Sequence, residues 1–331
     1  MKKILIVSLL LLFATCISGY SKSFQPVNPH ASPEAKALLS YLYSLQGKKI
    51  LSAQHNYPSP KEYTRSTDSI IAITGKVPAL WGTDISELDQ SLVDEAIRQY
   101  KKGCIITLMY HQVKPFDPDS LGFARSVKGM VTNDQWKQIV TPGTEYHKMW
   151  LAKIDARAEL LKKLRDAHIP VLWRPYHEMN GMWFWYGNRP GKDGIQKLWK
   201  QMFDRYVNYH HLDNLIWVWN TNAPRDWKDD QAYAYELFYP GAKYVDILAA
   251  DVYKNDFKQS HHDQLFKLGK GKLIALGEVG NLPTPEILEQ QPMWSWFMCW
   301  AHFPWTNNTH EIVKALYNSP RVLTLDETDR K

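Results

Sequence analysis

Residues 171–187 begin as an apolar run and break into Arg174, His177, Glu178 and Asn180 among a cluster of aromatics. A second apolar run, residues 272–280, reaches Glu278 between Gly277 and Gly280. Two carboxyl groups brought together can cleave a glycosidic bond, one as proton donor and the other as nucleophile or base. The donor must stay neutral at working pH, so apolar surroundings or a second carboxylate must raise its pKa. Glu178, set among aromatics beside His177, suits the donor. Glu278, with Arg174 and Tyr253 as prospective partners, suits an ionised nucleophile. A lone glutamate at a strand end is more often an ordinary ion-pair partner, but two in such positions favour the chemistry. Retention of configuration sets the two carboxyls about 5–5.5 Å apart, whereas an inverting pair stands about 9 Å apart.

Positioning such a pair requires a frame. Eight short apolar runs are candidate strands: residues 49–54, 77–82, 104–110, 169–174, 214–219, 245–251, 273–277 and 295–300. They are mostly continuous rather than alternating, as expected of parallel strands covered on both sides. Helical patterns fill the gaps at 61–74, 88–102, 146–167 and 191–210, with weaker ones at 233–238, 262–268 and 285–290 and a last one at 308–316. Ser32-Pro33-Glu34-Ala35 reads as a cap and first turn of a helix preceding them all. This alternation predicts a single-domain (β/α)8 TIM barrel. A doubly wound sheet is the alternative, but no Gly-x-Gly-x-x-Gly follows the first run.

In such a barrel, functional side chains stand at the C-terminal ends of the strands. The eight runs lead into Gln54 and His55, Trp81 and Asp84, Tyr110 and His111, Arg174 to Glu178, Trp219 and Asn220, Asp251 and Tyr253, Glu278, and Trp300 and His302. Nearly every end is polar or aromatic. The long stretch 111–143 follows the third strand, where loops shape substrate clefts.

The segments Trp-Arg-Pro-Tyr-His-Glu-Met-Asn-Gly-Met-Trp-Phe-Trp-Tyr-Gly (173–187) and Leu-Gly-Glu-Val-Gly (276–280) resemble the two signatures of glycoside hydrolase family 26. Gln54-His55, Trp81 to Asp84, Tyr110-His111 and Asp251 to Tyr253 look similar as well, and the likeness spans roughly residues 35–320. That family consists of retaining (β/α)8 enzymes, mostly endo-β-1,4-mannanases. The resemblance implies Glu178 as general acid/base and Glu278 as nucleophile. It implies His177 orienting Glu178, Tyr253 hydrogen-bonding the nucleophile, and Trp183 and Trp300 stacking on sugar rings. His111, Arg174 and Asp84 would line the subsite of the reacting mannose. Trp81 is a candidate floor residue, with a core position as the alternative, while core positions are preferred for Tyr110 and Trp219. The expected partner is a β-mannan-type polysaccharide or oligosaccharide. A related β-glucanase or β-xylanase, a mannobiose-releasing exo-enzyme and a non-catalytic glycan-binding barrel are the alternatives.

Composition agrees with this class. The chain has 331 residues, of which 44% are hydrophobic, and a net charge of +6. No basic run is long enough for a nucleic-acid arm, so no nucleic-acid partner is expected. Fourteen tryptophans exceed what a core alone suggests. Residues 1–21 read as an export signal: two lysines, an apolar core too short for a permanent anchor, then small residues. Cys16 after Phe-Ala-Thr loosely resembles a lipoprotein box, so a lipid anchor at Cys16 and cleavage near residues 19–21 to release a soluble protein both stand open. The product is expected to be periplasmic or extracellular. Residues 22–31 read as a tether and 32–331 as the catalytic domain, expected to be monomeric. Cys104 and Cys299 lie in separate apolar runs and read as core thiols. His55, His111 and His177 lack the spacing of a metal site, and no metal or cofactor is expected.

Overall fold

The computed structural model describes residues 24–328, so residues 1–21, expected to be an export signal, and Cys16 within them lie outside the described residues. Eight parallel strands form the frame: β1 (Ile50–His55), β2 (Leu80–Asp84), β3 (Ile105–Tyr110), β4 (Val171–Pro175), β5 (Leu215–Asn222), β6 (Ile247–Val252), β7 (Leu273–Val279) and β8 (Trp294–Cys299). Each pairs with its sequence neighbour, and β8 pairs with β1, closing the barrel. All eight strands overlap the runs expected from sequence. The helices pack outside. They include α1 (Pro33–Leu45), α2 (Arg65–Thr74) and α3 (Gln90–Lys101), then α4 (Asn133–Ile139) and α5 (Glu145–Asp166). Ser32 caps α1 by accepting from Ala35 N.

Two features were not expected. Within 111–143 a short helix, α4, is fastened by a capping box between Thr132 and Gln135. After β5 a small hairpin, Arg225–Trp227 with Asp230–Ala232, folds back over the barrel mouth. Residues 24–31, expected to be part of a tether, lie against the barrel. Val27 N donates to Asp246 at 2.6 Å, and Asn28 Nδ2 donates to the Leu212 carbonyl at 2.9 Å. Cys104 and Cys299 are both buried.

The core has two layers, set by the two-residue period of a strand. Leu51, Leu80, Ile105, Leu172, Ile216, Ile247, Leu273 and Trp296 fill the interior of the barrel above α1. Residues of opposite parity, such as Trp81, Ile106, Trp173 and Trp217, pack against the helices. Continued upward, the inward parity delivers His55, Asp84, His111, Arg174, Asn220, Asp251 and Trp300 to the mouth of the barrel. Glu278 is the exception. Leu273 and Ala275 point inward, so plain alternation would send Gly277 in and Glu278 out. The β6–β7 register shifts here, from Ala250 opposite Leu276 to Asp251 opposite Glu278. Gly277 is the extra residue, a bulge that lets two consecutive positions face inward.

Only glycine fits that bulge. A Cβ on Gly277 would lie 2.0 Å from Asn220 Oδ1 and 2.7 Å from Asp251 Oδ1. Gly277→Ala is expected to destabilise the fold by about 1–3 kcal/mol, the usual range for overpacking. Urea unfolding measures this, and an unchanged midpoint would show that the bulge tolerates a side chain.

Candidate active site

A cavity of about 430 Å³ opens at the C-terminal end of the barrel. Glu178, Glu278, Trp183, Trp300 and Tyr253 line it. One oxygen of each of Glu178, Asp251 and Glu278 lies within 4.8 Å of the others. Among the described residues this is the only grouping spaced to hold a cation, and each of its three carboxylates already accepts a hydrogen bond.

Glu278 is only 2% exposed. Tyr253 Oη donates to its Oε2 at 2.6 Å. Arg174 Nη2 stands 3.8 Å from Oε1, and His177 Nε2 stands 3.4 Å from it. Arg174 is held in turn, donating to Asn220 Oδ1 at 2.6 Å and to the Gly277 carbonyl at 2.9 Å. The guanidinium therefore braces both the bulge and the carboxylate the bulge turns inward. Burial pushes the Glu278 carboxyl up to about 7; Arg174 pulls against this, and the Glu178 charge adds to it.

Glu178 follows a sharp break in β4. Tyr176 and Glu178 both adopt left-handed backbone, with φ of 50° and 58°. Such values are uncommon for residues with a Cβ and persist where neighbouring contacts enforce them. Here Glu178 N donates to the Asn220 carbonyl, and Asn180 is bonded to the Asn222 and Tyr233 backbones. Trp183 Nε1 donates to Glu178 Oε2 at 2.7 Å. Gly181 makes room for this, since a Cβ there would lie 2.2 Å from the Trp183 ring. Burial raises the Glu178 pKa; the Trp183 hydrogen bond and the Arg225 charge oppose the rise.

The remaining sequence candidates fall into three groups. His111, His177, Trp183, Tyr253 and Trp300 line the cavity with the two glutamates. His55 stacks on Trp300 with ring centroids 4.1 Å apart. Asp84 and Arg174 are buried beneath the cavity and reach it through other side chains. Asp84 Oδ2 lies 2.5 Å from His111 Nδ1. Burial pushes Asp84 up, but the paired His111 outweighs this and holds it below its ordinary value. Trp81 is not a floor residue. Its outward parity places it in the helix-facing core, where its indole N–H donates to the Tyr63 carbonyl.

His177 also differs from expectation. The backbone turns at Tyr176 and Glu178 send neighbouring side chains apart, so His177 faces Glu278 and His111 rather than Glu178. Burial, with the charges of His111 and Arg174, keeps it neutral by lowering its pKa well below the ordinary value.

Sequence reasoning placed Asp251 at a strand end without giving it a role, and it did not single out Phe123, Phe184 or Arg225 for the site. Asp251 carried a signal, the inward parity of Ile247 and Ala249. Phe123 lies in a short helical turn and Arg225 in the three-residue strand of the hairpin, both too short to carry a period that reveals direction.

Residues 27–327 match the sequence model of glycosyl hydrolase family 26. The chain belongs to glycosyl hydrolase family 26. This family 26 chain is 36% identical to a mannan endo-1,4-beta-mannosidase of Thermothelomyces thermophilus, over 91% of its own length and 62% of that protein. It is 30% identical to a mannan endo-1,4-beta-mannosidase of Bacillus subtilis, over 97% and 95%. It therefore spans about three-fifths of the first relative, and it covers 50% of a Piromyces sp. enzyme of the same name. The solved structure of GH26A from Muricauda sp. superposes with a TM-score of 0.88 at 50% identity, covering 91% of this chain and 99% of that one. A β-mannanase from a symbiotic protist of the termite Reticulitermes speratus, solved with a gluco-manno-oligosaccharide, gives 0.79 at 31% identity, over 93% and 98%.

Tyr253→Phe removes the donor to Glu278. A hydrogen bond to the charged form lowers a carboxyl pKa, so its loss is expected to raise that of Glu278, by about one pH unit. A ¹³C NMR titration of labelled glutamate carboxyls reads this directly, and an unmoved or lowered midpoint would contradict it.

Proposed function

We propose that this chain is an exported, retaining endo-β-1,4-mannanase that hydrolyses β-mannan, glucomannan or galactomannan by double displacement. The observation that carries the reading is the short approach of the Glu178 and Glu278 carboxylates, within 4.8 Å at their nearest ligand atoms. Inverting pairs are wider because a water must fit between carboxylate and sugar. The mannan preference is supported by the relatives, whose names are those of mannanases. Export is supported by the character of residues 1–21. Among the described residues no helix is long and apolar enough to cross a membrane.

In the first step Glu178 protonates the leaving oxygen while Glu278 attacks the anomeric carbon, forming a glycosyl-enzyme. In the second, Glu178, now a base, takes a proton from water, which displaces Glu278 from the sugar. Trp183 and Trp300 provide aromatic faces on either side of the cleavage point. Because the two carboxyls are buried together, they titrate as a pair, and the competent form holds one proton. Arg174 and Tyr253 favour the charge on Glu278, which leaves the proton on Glu178.

Glu178→Gln is expected to lower kcat on galactomannan by about 10²–10⁴, the usual contribution of a general acid–base. Glu278→Gln should lose at least as much. Near-normal turnover by either variant would refute its role. Galactomannan, glucomannan, lichenan and xylan assayed side by side, with product lengths, separate mannanase from glucanase or xylanase and endo from exo action. The pH profile is expected to be bell-shaped, with its acidic limb above the ordinary glutamate value because Glu278 is raised. Arg174→Met removes a positive charge beside Glu278 and should move that limb to higher pH. A shift to lower pH would contradict the assignment.

A further inference from the structure

The hairpin after β5 places Arg225 beside the cavity. Its guanidinium stands 5.3 Å from the centre of the Trp183 ring and 4.9 Å from that of Trp227. Asp230 Oδ1 accepts from both Nε and Nη2, at 3.2 and 2.6 Å, and Asn222 Oδ1 accepts from Nη1 at 2.7 Å. The Arg225 side chain is only 5% exposed. A guanidinium fixed on three nitrogens is a rigid plate, and a cation against an indole face is held by the ring's quadrupole. Trp183 is otherwise partly exposed, and its indole N–H holds Glu178. The contacts form one chain, from Asp230 through Arg225 and Trp183 to Glu178.

We propose that Arg225 is a positioning residue for proton donation: it pins Trp183 so that the indole N–H holds the Glu178 carboxyl toward the glycosidic oxygen. The inference rests on Glu178 being the donor. In the step concerned, the Glu178 proton passes to the leaving oxygen as the C–O bond breaks and Glu278 bonds to carbon.

The charge of Arg225 has a second consequence. Glu178 faces His111 from the end of β3, Tyr186 from its own loop, Asp251 and Tyr253 from the end of β6, and Glu278 from β7. Arg225 and its partner Asp230 face it from the hairpin. Of these, Arg225 is the permanent cation that most strongly favours ionised Glu178. Removing it should raise the Glu178 pKa. An acid that stays protonated longer remains active to higher pH, so the basic limb should move upward.

The test compares kcat/KM on galactomannan with that on 2,4-dinitrophenyl β-mannobioside, whose leaving group departs without a proton. Arg225→Met is expected to lose about tenfold on galactomannan, less than the full general-acid contribution, and little on the aryl substrate. Its basic limb should rise by about half a pH unit. Arg225→Lys keeps the charge without the fixed plate, so it should lose rate on galactomannan while the limb stays in place. Equal losses on both substrates with an unmoved limb would overturn the proposal and leave Arg225 a structural residue. Glu178→Ala is the control. Its kcat/KM must fall far more on galactomannan than on the aryl substrate, while its kcat on the aryl substrate drops because the second step has lost its base; equal falls in kcat/KM on both substrates would sink the donor assignment and the Arg225 inference with it. Thermal unfolding of both Arg225 variants separates local effects from loss of fold.

Discussion

Three carboxyl groups share the mouth of this barrel, and like charges so close in a dry site cannot all be ionised. Much of the surrounding structure answers that constraint. Burial keeps Asp251 protonated, and the charges of Glu278 and Glu178 add to the effect. Its Oδ1 accepts from Asn220, which also holds Arg174. Arg174 offsets the charge of Glu278, and Tyr253 supplies its hydrogen bond. Glu178 has weaker support, one indole N–H and a cation beyond it. The two glutamates are therefore unequal, and the asymmetry that the proposed donor and nucleophile require comes from their neighbours.

The geometry beneath this asymmetry is a matter of parity. Seven strands reach the site by plain alternation, and the strand that carries Glu278 does so only through the bulge at Gly277. The same glycine leaves room for Asn220 and Asp251. One small residue thus brings the third carboxyl into contact with the other two. On the opposite side, the left-handed turns at Tyr176 and Glu178 do comparable work, dividing the histidine from the glutamate that follows it.

The strands and most helices were legible because their signal is local: continuous apolar runs bounded by turn residues. Glu178 and Glu278 were legible because strand ends in a barrel converge. Trp81 was misplaced because its parity was not followed, although Asp84 on the same strand marks the inward face. The direction of His177 was not legible, since two adjacent backbone turns override any period. The tryptophan count also misled in part. Only Trp183, Trp227, Trp300 and Trp305 stay partly open; the others are core. The hairpin with Arg225 was hidden in a polar stretch whose fold depends on the barrel beneath it.

The most direct test of two unequal glutamates is to trap the covalent intermediate. A mannobiosyl fluoride with fluorine at C2 should slow both steps and let the glycosyl-enzyme accumulate. Retention through Glu278 predicts one added glycosyl group in the intact mass, located by peptide sequencing on Glu278. A label on Glu178, or no label while the sugar fluoride is consumed with inversion, would contradict it.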